Sequence, residues 1–179
     1  MPNTRFETYD RSNTPLPFVL HEHIERTALI RSDAHNWHEA MEIQWCIEGE
    51  GFVLLNGTTL PFHAGEIIAV NPDLLHYTGT DTRLVYHCII IDAAFCRHMQ
   101  LDAAHLQFTP SINDPALFES LCAQQSATND STLPFPIAHC HQLLLSILLR
   151  LAQHHSTSTA QIPSDTKAHA RVKHILRYI

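Results

Sequence analysis

The sequence has no long apolar run, no closely spaced cysteine pair and few basic residues, and each absence removes a class of protein. No stretch of about 18 apolar residues occurs, so nothing in it reads as a membrane-spanning helix. The opening MPNTRFETYDRSNTPLPF lacks the basic-then-apolar order of a secretory signal. A soluble, cytoplasmic chain without membrane contact is the expectation. The five cysteines (Cys46, Cys88, Cys96, Cys122 and Cys140) are odd in number and never form C-x-x-C. They are expected to be reduced and mostly buried rather than a disulfide framework. Catalytic signatures are missing too: there is no G-x-S-x-G turn, phosphate-binding glycine loop or dinucleotide fingerprint. Lys and Arg number eleven against eighteen Asp and Glu. Four of those eleven fall in the last thirteen residues, KAHARVKHILRYI, which carry no acid. The body is therefore a poor partner for nucleic-acid phosphates, and a segment of different character begins near residue 167.

What is present first reads as strands. From about residue 18 to 92, TALIR, MEIQWCI, GFVLLNG, EIIAV, LLHYT and RLVYHCIII are rich in β-branched and aromatic residues. EGEG, NGTT, HAGE, NPD and GTDT punctuate them, and Asn56-Gly57 marks a tight hairpin. Gly49 and Gly51 predict a reversal between two strands. Many short strands predict a sandwich or barrel. After Asp92 the pattern turns helical. DAAFCRHMQ begins with a capping Asp, and Asp114 precedes Pro115 as cap and first-turn proline. The strongest helix spans about 136–154, and its Leu and Ile residues cover most of its circumference, so it is buried on more than one side. Leu144, Leu148 and Leu151 are expected to form a two-fold helix–helix interface in a homodimer. The fold class is mainly β with C-terminal helices (α+β). STSTAQIPSDT then reads as a polar linker before a new helix.

Fifteen histidines are scattered over the chain, and only a few can share one site. The stretch HNWHEAMEIQWCIEGEG holds the best candidates. Alternation puts Glu42, Gln44 and Cys46 on one strand face and Ile43, Trp45 and Ile47 on the other. Two motifs follow in order: His38, Glu42 and Gly49, then Gly65, Glu66, Pro72 and His76. Together with the helices, linker and basic tail, they closely resemble the ligand-binding cupin domain of AraC-type bacterial transcriptional regulators.

That resemblance implies a double-stranded β-helix (jelly-roll) barrel over about 18–92, with a helical dimerisation segment over about 93–154. It makes 1–154 the effector-binding and dimerisation domain and 155–166 a linker. Residues 167–179 become the opening helix of a helix-turn-helix DNA-binding region, the only part that would touch DNA. A small metabolite is expected in the barrel, contacted by His38, Glu42, Gln44, Cys46 and His76, with Trp37 stacking at the rim. Ile43, Trp45 and Ile47 would pack beneath the helices, and the segment before residue 18 would close the mouth. No cofactor is expected. Metal-binding cupins offer four ligands, and the corresponding positions are Asn36, His38, Glu42 and His76. Asparagine is a weak ligand, but two histidines and a carboxylate can form a facial triad for a divalent metal. A stand-alone metal-dependent cupin enzyme, a dioxygenase or isomerase using His38, Glu42 and His76, is thus the alternative to a sensor without catalytic residues. His21-Glu22-His23 reads as a solvent-facing edge, and His154-His155 as a helix terminus.

Overall fold

The computed structural model describes residues 3–9, 14–28, 34–101 and 106–157. The expected helix at 167–179 and most of the linker lie outside the described residues. The strands up to the barrel's end are β1 (Asn3–Phe6), β2 (Phe18–Thr27), β3 (Ala34–Trp37), β4 (Met41–Leu55), β5 (Thr58–His63), β6 (Ile67–Val70), β7 (His76–Gly79) and β8 (Arg83–Ile91). Beyond them come α1 (Ala93–His98), β9 (Gln107–Phe108), β10 (Ser111–Ile112), α2 (Pro115–Asn129), α3 (Pro136–His154) and β11 (Ser156–Thr157).

The organising element is β4, a single strand of 15 residues where the sequence predicts a reversal. Its first half pairs with β8 on one side and β6 on the other; its second half pairs with β5 and β7. The chain bends here instead of turning back, at a register shift between Cys46 and Glu48 and at Gly49, whose φ is +82°. Glycine is needed for close approach as well. A Cβ on Gly49 would lie 2.1 Å from the Arg83 carbonyl oxygen, and one on Gly51 would lie 2.4 Å from that of Gly79. One layer is thus β2-β8-β4-β6-β10 and the other β5-β4-β7-β3-β1, with β4 in both. This is the mainly β, antiparallel, cupin-like architecture that the sequence implied, enlarged by β1 and β10.

Strand alternation separates two cores. Cys46, Val53, Phe62, Ile68, Val70, Leu84 and Tyr86 fill the interior between the layers. Met41, Ile43, Trp45, Ile67, Ala69, Ile89 and Ile91 face outward and meet the helices. Ile43 and Trp45 pack as expected, but Ile47 does not. It lies beyond the last residue the helices cover and is 41% exposed.

Leu117 and Leu121 of α2 and Leu144, Ile147, Leu148 and Leu151 of α3 complete that outer core. This corrects the interface expectation. Leu144, Leu148 and Leu151 are buried within the chain itself, because the spacing 144, 147, 148, 151 is the stripe that a helix turns toward a sheet. The exposed apolar residues of α3 are Ile137 and Leu149, with Leu145 half-buried between them.

Two polar devices fasten the periphery. Asp114 caps α2 by accepting from the Leu117 N–H (3.1 Å), takes two 2.7 Å hydrogen bonds from Arg150 of α3, and lies 2.9 Å from His155 Nε2. Asn71, buried in the loop after β6, donates to the Phe108 carbonyl and accepts from the Phe108 N–H, both at 2.9 Å. Phe108 belongs to β9, which pairs with β11, so Ser156–Thr157 are tied to that loop.

Candidate functional site

The β4 pleat turns Glu42 and Gln44 into the barrel, where β7 supplies His76 and Thr78 and the β3–β4 connection supplies His38. All five side chains are buried and linked. His38 Nε2 lies 2.8 Å and His76 Nε2 3.3 Å from Glu42 Oε2. Gln44 Nε2 donates to Glu42 Oε1 at 2.7 Å, and the Thr78 hydroxyl donates to Gln44 Oε1 at 2.8 Å. Burial opposes ionisation of Glu42, but His76 and His38 outweigh it and hold the carboxyl well below its usual range. Burial likewise lowers the affinity of His76 for a proton, and the Glu42 carboxylate more than restores it.

The imidazoles are oriented from behind. His38 Nδ1 is 3.0 Å from the Ala40 carbonyl oxygen, and His76 Nδ1 is 3.1 Å from that of Leu74. A carbonyl only accepts, so each Nδ1 carries the hydrogen and each Nε2 faces Glu42. The three ligand atoms lie within 4.8 Å of one another. Two imidazole nitrogens with fixed tautomers and one braced carboxylate are a donor set that fits a divalent cation. Held there, such an ion would supply Lewis-acid chemistry. Asn36, opposite His76 across the β3–β7 pair, takes the place of a third histidine, while His35 packs on Tyr77.

A cavity of about 330 Å³ opens above this cluster. Glu42, Gln44 and His76 form part of its wall, together with Thr78 and Cys88. His38 instead faces a neighbouring depression of about 360 Å³, and Glu7 and Tyr9 line both. The N-terminal segment is therefore part of the wall. Tyr9 donates a short hydrogen bond to Glu7, and its ring lies 5.6 Å from that of His38.

Two expected contacts need correction. Cys46 shares the face of Glu42 but lies below the cavity, fully buried near the Glu48 and Val85 carbonyls. Burial pushes its thiol up to about 11, which suits an inert core residue better than a nucleophile. Trp37 is 3% exposed and packs on Phe6 at 4.5 Å between ring centroids, so it offers no face at the rim.

Residues 22–165 match the family model of the AraC-like ligand binding domain. The chain belongs to this family. ToxT from Vibrio cholerae O395 aligns over 90% of the chain and 63% of its own length, with a TM-score of 0.52 and 10% identity. A second ToxT structure gives the same TM-score at 9% identity over 90% of this chain and 65% of that one. A Cupin 2 conserved barrel domain protein from Salinispora arenicola CNS-205 is 19% identical over 51% of the chain and 77% of its own, at a TM-score of 0.37. The chain thus spans 63% of the first ToxT structure's chain, and that likeness speaks for the fold alone. No curated protein sequence matches. Among the described residues, no helix is long and apolar enough to cross a membrane.

Several residues of this AraC-like domain's cavity escape sequence reasoning. Tyr9, His21, Ile24, Arg26 and Tyr86 all line it. The pair His21–His23 sits inside β2. A bulge between His21 and Ile24, with His23 at φ +50°, breaks the alternation, so His21, Ile24 and Arg26 share the inner face despite their odd spacing. Nothing in FVLHEHIERT marks the bulge in advance.

Proposed function

We propose that this AraC-like domain binds a small metabolite in the 330 Å³ cavity and passes the bound state, through a homodimer, to a DNA-binding region that begins near residue 167. The observation that carries the reading is the network from Thr78 through Gln44 and Glu42 to His76. A cavity with a rigid, hydrogen-bonded polar floor and a mixed upper wall is built to discriminate a small molecule. A ligand shifts an equilibrium only by its differential affinity for two states, and the segment carrying Glu7 and Tyr9 supplies an element whose position binding would change. The interface in this reading is the outer face of α3, where Ile137, Leu145 and Leu149 recur at helical spacing. The test is calorimetric. Gln44→Ala should weaken a metabolite found by thermal-shift screening about tenfold or more, as loss of a buried hydrogen-bonding group costs about 1–3 kcal/mol. An unchanged Kd would remove the cavity from consideration.

The convergence of both Nε2 atoms on Glu42 favours a second reading, a metal-dependent cupin enzyme using His38, Glu42 and His76. Elemental analysis separates the two. Stoichiometric iron, manganese or zinc that disappears in His76→Ala supports the enzyme. Metal-free protein that still binds its metabolite supports the sensor.

A further inference from the structure

The two ends of the cavity differ in charge balance. At the Glu42 end, the carboxylate is already engaged by His38, His76 and Gln44, and Thr78 donates to Gln44, which leaves the amide one N–H. At the other end stands Arg26. The residue is half-buried; its guanidinium lies over the Tyr86 ring at 5.9 Å and donates from Nη1 to the Glu25 carbonyl oxygen at 3.2 Å. Among the described residues it has no carboxylate partner. The adjacent carboxylate, Glu25, points to the outer face and accepts from Arg83 at 2.7 Å. Glu48 is drawn to Arg83 as well.

A guanidinium presents five N–H donors in a planar fork that matches the two oxygens of a carboxylate. Arg26 uses one donor on a backbone carbonyl and turns a wall of the cavity otherwise unpaired. The register fixes the distance to the far end. Tyr86, under the guanidinium, and Ile90, opposite Glu42, are four residues apart on β8, or about 13 Å. Ile24 and Tyr86 supply apolar surface between the two ends.

We infer that the cavity takes a small monocarboxylate, its carboxylate forked on Arg26, its apolar body against Ile24 and Tyr86, and a hydrogen-bond acceptor directed at the remaining amide N–H of Gln44. This rests on the reading of the cavity as the metabolite site, and it names the chemical class that the site selects.

Matched probes test it: 4-hydroxyphenylacetate, its uncharged alcohol 4-hydroxyphenylethanol and its cationic amine tyramine, with butyrate, 1-butanol and butylamine as an aliphatic set. Each is titrated against the 179-residue chain, the Arg26→Gln variant and the Gln44→Ala variant by thermal shift and calorimetry. In the expected result only carboxylates bind, at least one of them with measurable affinity. Arg26→Gln weakens that binding tenfold or more without lowering the melting temperature of the free protein. If alcohols or amines bind as well as the acids, or Arg26→Gln leaves the acids' Kd unchanged, the inference is overturned. Loss of that binding in Gln44→Ala then leaves the cavity reading standing. If no probe binds the wild type at millimolar concentration, the inference is overturned, while the cavity reading is decided separately by the effect of Gln44→Ala on a screened metabolite.

Discussion

Leu148→Glu should unfold the domain, whereas Leu149→Glu, one position along the same helix, should leave it folded and monomeric. Leu148 is 2% exposed and belongs to the core formed by α2, α3 and the outer face of the β4 sheet. A carboxylate there loses its hydration and finds no cation within that apolar cluster. The cavity left by the leucine adds to the cost, and the sum is about 4 kcal/mol or more. A domain with a total stability of roughly 5–15 kcal/mol does not survive that comfortably. Leu149 is 48% exposed. Its replacement should change stability by about 0.5 kcal/mol or less, while placing like charges on both sides of the proposed two-fold contact. Circular dichroism melts and light scattering of both variants provide the readout. A cooperative Leu148→Glu melt at the wild-type temperature would contradict the core assignment. A Leu149→Glu dimer would contradict the interface.

The second large effect belongs to Asp114. Its single carboxylate terminates α2, receives the fork of Arg150 and meets His155, so three separated pieces of chain depend on it. Asp114→Ala loses an N-cap worth about 1 kcal/mol and leaves Arg150 without its partner. The cost of breaking a buried pair, about 3–5 kcal/mol, is reduced here because the Arg150 side chain is 37% exposed and can rehydrate. A total near 3 kcal/mol, or about 10 °C in Tm, is the expectation. Acid should reveal the same interaction. Arg150 holds the Asp114 carboxyl well below the ordinary range, against the opposing effect of burial, and His155 assists. A depressed folded-state pKa means the stabilisation is complete above the unfolded value of about 3.9 and fades as pH falls below it toward the folded value. Asp114→Asn keeps a capping side chain but has no proton to gain. Melting profiles from pH 6 to 2 should therefore converge at low pH. Parallel profiles would show that the ion pair contributes nothing.

Local chemistry made much of this fold readable in advance. Asp92 and Asp114 cap their helices as read: each accepts from the backbone N–H that an N-cap serves. Asn56 and Gly57 both take positive φ in the β4–β5 turn, which the dipeptide announces. Alternation placed Glu42 and Gln44 inside and Ile43 and Trp45 outside, because a period of two admits no other arrangement once one residue is fixed. What stayed hidden depends on partners distant in sequence. NGTT reads as turn residues, and no strand is expected over 58–63. β5 forms there at an edge, paired among the described residues with β4 alone, where the missing N–H of Pro61 costs little. Trp37 was placed at the rim because the motif stands beside it. It is buried because β1 runs parallel to β3 and lays Phe6 against it, a pairing across about thirty residues that no local pattern encodes. In α3 an apolar circumference conceals which side meets the sheet, so the sequence alone does not separate the buried Leu144, Leu148 and Leu151 from the exposed Leu149.

The Asn71 clamp gives this architecture a short lever arm. The loop it anchors continues to Asp73, whose N–H donates to the His38 carbonyl at 2.8 Å, and to Leu74, whose carbonyl orients His76. From Asn71 the tether runs to Phe108 and across to Ser156 and Thr157. His38 and β11 are therefore separated by only a few hydrogen bonds, none of which passes through the long helix. A shift of the 71–74 loop that moved these histidine contacts would reach β11 through the Asn71–Phe108 pair rather than through the length of α3.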